Sequence, residues 1–280
     1  MPSQVKVLSW NLYHGRDFPP DPALFTWRSR LLRVTERNLT HAQVNRPLLD
    51  EFAGGLDAFE WDVALLQEAP PRWFAKLAER TGSNGLRVLT SRNLCLPLQG
   101  LAADLNPDLI ASSDGGSNQI LVRHPGRIVE HRRLTLAWRP EQRRMHWARV
   151  ELGDGSRLGV ANLHASAGLP GLASVEVVRA AEAAVEWSGA DPLVVGGDLN
   201  LRPKRNPEPF ETLRERFGLV EPTAPGAIDH LLARGLGIES APRRLAPERR
   251  ELTGPDGLRI RLSDHAPVTA AFSRLASQAA

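Results

Sequence analysis

Asp198 and Asn200 stand two residues apart, directly behind the apolar run Pro192-Leu193-Val194-Val195-Gly196-Gly197. A run this short, bounded by proline and glycine, reads as a strand buried on both faces. A carboxylate and a carboxamide are thus expected at the end of a rigid element, pointing the same way because alternate residues of an extended chain share a side. Small Gly197 between strand and acid would leave close access. An acid so placed can orient or deprotonate a water that the amide positions; the same Asp-x-Asn pattern also makes an Asx-turn or a helix cap.

The pattern recurs. Trp10-Asn11 ends the run Val5 to Leu8, Gln67-Glu68 ends Val63 to Leu66, and Asn162-Leu163-His164 ends Leu158 to Ala161. Ile228-Asp229-His230 opens another apolar segment, and Ser263-Asp264-His265 precedes Ala266-Pro267-Val268. Six expected strands therefore carry acid, amide or imidazole at one end, which argues for one shared cleft. Asn11 offers a carboxamide oxygen suited to a hard cation. Glu68 at the end of an apolar strand is costly to bury without a cation or hydrogen bonds; it reads as the principal metal ligand, or as a cap for a helix over Arg72 to Arg80.

In this order, these six motifs resemble the endonuclease/exonuclease/phosphatase superfamily with its DNase I-like fold, over nearly the whole chain. The resemblance implies an α/β four-layer sandwich: two mostly antiparallel sheets packed face to face, helices outside, and a cleft where strand ends meet. It places His164 beside the scissile phosphate, as a phosphate-binding or transition-state-stabilising group, and it makes Asn118, behind Gly115-Gly116-Ser117, a substrate contact or else a turn asparagine.

Four acids, Glu68, Asp198, Asp229 and Asp264, would repel by roughly 4 kcal/mol per pair ~4 Å apart at an effective dielectric of about 20. One or two Mg²⁺ or Mn²⁺ ions relieve this; all-oxygen ligands select hard cations, and no Cys/His cluster has zinc spacing. The expected arrangement has Glu68 holding the ion with Asn11 and Asp264, directly or through water, while Asp198 and Asn200 handle the attacking water. His265, oriented by Asp229, contacts the phosphate. In the loop Leu201-Arg202-Pro203-Lys204-Arg205, Arg202 or its basic neighbours grip a second phosphate, or the loop is simply exposed.

The resulting expectation is a divalent-metal-dependent hydrolase of phosphodiesters, first of all a DNase I-like nuclease with nucleic acid as partner. A phosphatase or phosphodiesterase acting on a small phosphorylated molecule or a lipid headgroup is the alternative, and an idle scaffold relative is the third reading. The chain lacks the patterns of apurinic-site endonucleases at Asn162-Leu163-His164 and of inositol polyphosphate phosphatases at Ile228-Asp229-His230.

The elements that must position these residues alternate strands with a few amphipathic helices. Apolar spacing from Asp21 to Phe59 predicts helix covering one sheet, with Trp27 in the core or as a hydrophobic staple rather than a base-stacking platform. Residues 127–163 read as an antiparallel meander with a hairpin at Asp154-Gly155. There, arginines interleaved with Trp138 and Trp147 either track a nucleic-acid backbone or pack across strands. Pro170 to Trp187 reads as a helix with Leu172, Val175, Val178 and Val185 inward and Glu176, Glu182 and Glu186 solvated.

The chain has 280 residues, a net charge of +3, one cysteine and only three lysines, Lys6, Lys76 and Lys204. Arginine suits bidentate phosphate recognition, but so weak a net charge permits a phosphate-bearing substrate without requiring one. Length and the absence of linkers or repeats predict one catalytic domain over 1–272 and a short frayed tail over 273–280. Cys95, between Leu94 and Leu96, is expected to be a buried structural thiol. No leader or membrane-length apolar run is evident, so a cytoplasmic protein, monomeric by default, is expected.

Overall fold

The computed structural model describes residues 4–90, 93, 95–110 and 115–274. Its strands, in chain order, are β1 (Gln4–Asn11), β2 (Glu36–Arg37), β3 (Ala42–Gln43), β4 (Val63–Ala69), β5 (Ser83–Leu89), β6 (Ser117–Arg123), β7 (Arg127–Ala137), β8 (Arg143–Glu151), β9 (Arg157–His164), β10 (Leu193–Asp198), β11 (Asp229–Arg234), β12 (Leu236–Arg244), β13 (Glu251–Thr253), β14 (Arg259–Arg261) and β15 (Val268–Arg274). The helices are α1 (Trp27–Leu32), α2 (Leu49–Asp57), α3 (Phe74–Arg80), α4 (Leu96–Leu105), α5 (Pro107–Ile110), α6 (Pro170–Ser188) and α7 (Pro207–Phe217).

Two sheets form the centre. One runs β12-β15-β1-β4-β6-β5 and the other β11-β10-β9-β8-β7. Valines and leucines at alternate positions, among them Val5, Val7, Leu65 and Ile120 from the first sheet and Val150, Val160, Val194 and Leu231 from the second, interdigitate into a dry layer. The opposite face of the first sheet is covered by α2 and α3 through Trp10, Phe52, Leu56 and Leu77. That of the second is covered by α6 and α7 through Trp147, Val177, Leu213 and Phe217. The four-layer α/β sandwich expected from the sequence is therefore present. Most pairings are antiparallel, whereas β1 with β4 and β9 with β10 pair in parallel.

A buried amide clamp joins the sheets beneath the strand ends. Asn162 on β9 donates to the carbonyls of Leu66 (2.9 Å) and Gln119 (2.8 Å), and Gln67 donates to its Oδ1 (2.8 Å). The Asn162 amide and the Gln67 amide nitrogen thus find partners across the interface. Gly197 has a different role from the open access expected of it. Its φ is +132°, and a Cβ there would overlap the Leu163 carbonyl on the parallel neighbour β9. Gly197→Ala is expected to cost at least about 2 kcal/mol through overpacking and the left-handed backbone. A urea midpoint equal to wild type would show that β9 and β10 are not so closely apposed.

Several expectations are corrected. The 21–59 stretch is not one helical cover. α1 is six residues long, capped by the Thr26 hydroxyl and closed by Arg33 in the left-handed region, and only α2 buries its leucines. Trp27 is 65 % exposed and not in the core. Cys95 is exposed, and its neighbour Leu94 lies outside the described residues, as do residues 275–280 of the expected tail. On α6, Val175 faces solvent, while Glu176 is buried because its carboxylate accepts from both the backbone N–H and the hydroxyl of Ser166, each at 2.7 Å. Trp147 is core and donates to Ser188 Oγ (3.0 Å), which leaves only Trp138 exposed in that arginine-rich meander.

Candidate active site

Strand register does most of the positioning. On the second sheet His164, Asp198 and Asp229 are direct neighbours across β9, β10 and β11, so their side chains leave the sheet on one face. On the first sheet Asn11 lies opposite Gln67, the residue before Glu68. The two rows meet. Asn11 Nδ2 donates to Asp198 Oδ2 (3.2 Å), while its Oδ1 accepts the N–H of Tyr13 (2.9 Å). The segment before β15 supplies His265, whose Nδ1 lies 2.8 and 3.0 Å from the two oxygens of Asp229. His265 Nε2 is 3.8 Å from both Asp198 Oδ2 and Asp264 Oδ1.

The backbone is bent where the strands deliver these groups. Glu68 (φ 48°), Asn200 (φ 51°), Ser263 (φ 58°), Tyr13 (φ 49°) and His14 (φ 53°) all lie in the left-handed region. Such conformations are costly for residues other than glycine and cluster where side chains must be aimed. Local bonds hold them: Asn200 N–H donates to Asp198 Oδ1 (3.1 Å), and Asn200 Nδ2 to the Ala165 carbonyl (2.9 Å). The Ser263 hydroxyl donates to the Asn11 carbonyl (2.7 Å) and accepts the His265 N–H (3.0 Å).

Charge is concentrated here. Burial raises the Asp198 carboxyl to about 7, with Asp229 and Glu68 adding and His265 opposing. Burial alone would lower His265, but the charge and hydrogen bond of Asp229, with Asp198 and Asp264, outweigh it and raise the imidazolium to about 10. Burial keeps His164 neutral, well below its ordinary value, reinforced by Arg143, His265 and His14. Asp264 is raised, first by burial against the cleft wall, with Glu68 adding. A buried acid held up by neighbouring acids is short of positive charge.

The donor set fits a divalent cation in two ways. Asp198, Asp229 and His265 offer ligand atoms within 4.8 Å of one another. Glu68 and Asp264 are the more open carboxylates, 23 and 31 % exposed at the side chain. They flank the same space and are all-oxygen, as a hard cation prefers. With Nδ1 of His265 on Asp229, its Nε2 can either ligate or, protonated, donate; the preference of a hard cation for oxygen favours the second set.

Two expected residues are not brought to this cluster. Asn118 is fully buried on β6, with Nδ2 donated to the Arg144 carbonyl (2.8 Å). Arg202 is half-buried; among the described residues no hydrogen bond or ion pair joins its guanidinium to the site. Four other side chains are close to it. His14 Nε2 lies 3.3 Å from Glu68 Oε2, and His164 reaches Glu68 (3.7 Å) and Asp198 (3.5 Å), so it bridges the two acids. Arg143, buried and paired with Glu141 at 2.9 Å, acts on His164. Tyr13 has its hydroxyl raised by burial, with Asp264 and Glu68 contributing. The sequence held a signal for the first and last: Tyr13-His14 sit between Asn11 and Gly15, whose packing against Trp73 forces a tight turn.

Asp17 lies in the wall beside this turn. Its Oδ2 accepts the Val44 N–H (2.9 Å), its Oδ1 has no partner, and burial together with Asp108 raises it to about 8. The folded chain therefore holds this proton while the unfolded chain loses it near pH 4. Stability is complete below that pH and falls by up to about 1.4 kcal/mol per pH unit until the folded group ionises near pH 8. Asp17→Asn should flatten that slope in urea unfolding between pH 5 and 8; parallel slopes in the two proteins would show that Asp17 is ionised in the fold.

The family model described as the Endonuclease/Exonuclease/phosphatase family matches residues 8–265. No curated protein matches the sequence. Solved structures share the fold at low identity. The endonuclease/exonuclease/phosphatase from Bacteroides vulgatus superposes with a TM-score of 0.62 at 16 % identity, covering 98 % of this chain and 100 % of that one. The human Nocturnin catalytic domain with bound sulfate anion gives 0.63 at 16 % identity, covering 96 and 94 %. A mannosyl-6-phosphatase from Bacteroides thetaiotaomicron gives 0.62 at 15 %, covering 95 and 98 %.

Proposed function

Because the chain belongs to the endonuclease/exonuclease/phosphatase family, we propose that it is a divalent-metal-dependent hydrolase of phosphodiester bonds. The observation that carries this is the row His164-Asp198-Asp229 meeting Asn11 and Glu68 from the other sheet, with His265 docked on Asp229. Glu68 and Asp264 would hold the cation, with Asn11 behind them. When bound, a Mg²⁺ or Mn²⁺ ion supplies Lewis-acid polarisation of a phosphoryl oxygen and charge stabilisation at the leaving oxygen.

The chain's own groups do the rest. Asp198, raised toward neutrality, is matched to accept a proton from water at physiological pH. Asn200 and Asn11 fix the two oxygens of that carboxylate. The imidazolium of His265 presents Nε2–H to the cleft, where it can donate to a phosphoryl oxygen, while Asp229 holds the ring. His164, neutral and set between Glu68 and Asp198, is placed to donate a second hydrogen bond.

Lys204 and Arg205, exposed just beyond Asn200, support nucleic acid as the first substrate class. A lipid-headgroup or small phosphoester is the second, favoured by Phe25 and Leu109, which are exposed around a cavity that Tyr13 also lines. Purified protein with Mg²⁺ should turn over at least one of plasmid, single-stranded DNA, RNA, bis-p-nitrophenyl phosphate and inositol phosphates. Hydrolysis of inositol phosphates alone would end the nuclease reading, and silence on the whole panel would end the hydrolase reading in favour of a scaffold.

A further inference from the structure

Exposed apolar side chains are concentrated on one part of the surface. Of the fourteen large hydrophobic residues exposed among the described residues, eight fall within 25–32 and 98–109. Trp27, Leu31 and Leu32 on α1 are 54–65 % exposed, and Leu98, Leu101 and Leu105, on one face of α4, are 60–67 % exposed. Leu109 on α5 and Phe25 before α1 complete the group. The ends of these helices are tied together: Asn106, between α4 and α5, donates to the Arg30 carbonyl (3.0 Å) and accepts at Oδ1 from Asn45 Nδ2 (2.7 Å), which also donates to the Ser29 carbonyl (2.9 Å). So many unburied leucines on adjoining helices mark an interaction surface rather than ordinary surface scatter.

Two further observations say what covers it. The charges set among these residues are basic. Arg28, Arg30 and Arg33 are all exposed, and among the described residues no carboxylate pairs with any of them. Asp104, the acid on α4, is held by Arg72, and Asp108 on α5 is buried against Arg16. The ledge also borders a cavity on the side of the active-site turn. It measures about 330 Å³ and is lined by Tyr13, Arg16, Phe25, Thr26, Arg30 and Leu109 among others. One of its walls, Tyr13, belongs to the turn that sets His14 on Glu68.

We propose that the ledge formed by α1, α4 and α5 docks on an anionic phospholipid bilayer, and that the adjoining cavity admits a lipid headgroup whose phosphoester reaches the strand-end site. Tryptophan, leucine and arginine not matched by a carboxylate together have the chemistry of a surface lying in the headgroup region, with the apolar side chains in the acyl boundary and the arginines on the phosphates. The substrate half of this proposal rests on the hydrolase reading and takes the second of its two classes; the docking half does not depend on it.

The full chain should co-sediment with vesicles of phosphatidylcholine mixed with phosphatidylglycerol, weakly or not at all with phosphatidylcholine alone, and less as salt is raised. Leu101→Asp combined with Leu105→Asp should weaken vesicle binding at least tenfold, and Arg28→Glu by roughly fivefold. Turnover of soluble bis-p-nitrophenyl phosphate and the melting temperature should be unchanged in these variants. The proposal is overturned if wild type stays in the supernatant with both lipids, or if the leucine variant binds as well as wild type. It is equally overturned if wild type is a dimer that the variant dissociates, because a second copy would then cover the ledge. Vesicle binding without turnover of any phosphoester would instead refute the hydrolase reading and leave docking intact.

Discussion

Asp198→Asn is expected to lower turnover of a phosphodiester by about two to four decades, or about 3–5 kcal/mol in the barrier, the usual worth of a positioned general base. The substitution keeps size and removes the proton acceptor. It also disturbs orientation, because the two oxygens of Asp198 accept from different donors, Asn200 N–H and Asn11 Nδ2, and an amide has one acceptor oxygen for both. The fold should survive, since burial already disfavours the charged carboxylate. Loss of that charge should also move the His265 imidazolium down, Asp198 being one of the groups that raise it. This is readable by proton NMR of the ring without any turnover. Near-native rates in Asp198→Asn would remove this residue from the chemistry.

The second large effect concerns the cation. Chelation by EDTA should abolish turnover and Mg²⁺ or Mn²⁺ should restore it, while Glu68→Gln should require far more Mg²⁺ for half-maximal activity or fail at any concentration. Glutamine preserves the side chain's length and the strained backbone at φ 48° tolerates it as well as glutamate, so loss of affinity would report the missing charge. Metal dependence unchanged in Glu68→Gln would move the ion elsewhere, and the three-residue group Asp198, Asp229 and His265 is the competing place.

Much of this arrangement is legible in the sequence because strand ends are. A short apolar run that stops on an acid or amide states both where the strand lies and which residue it delivers; β1, β4 and β10 follow that rule, β9 follows it with His164, and β11 in reverse by opening on Asp229. The lateral pairing of His164, Asp198 and Asp229 is not legible, since no local pattern tells which strands are neighbours. Helical spacing misleads over 21–59: it is identical for a helix that faces a sheet and for one, like α1, that leaves Trp27 and Leu31 bare. Glu176 shows the reverse error. A glutamate on an amphipathic helix reads as solvated, and only the fold reveals the Ser166 backbone and hydroxyl that make its burial affordable. Asn118 and Arg202 sit near the right strands in sequence, but the Asn118 amide is taken by the Arg144 carbonyl on the facing sheet and Arg202 lies in the loop beyond β10, so neither joins the cluster.

The strand-end cluster as a cage for a hard cation is tested most directly by locating the ion. Crystals grown with Mn²⁺ should show an anomalous peak coordinated by Glu68 and Asp264, with Asn11 bound directly or through water and His265 still on Asp229. A peak seated on His265 and Asp229 instead, or no peak at saturating Mn²⁺, would contradict the assignment of the cation to Glu68 and Asp264 and of His265 to hydrogen-bond donation.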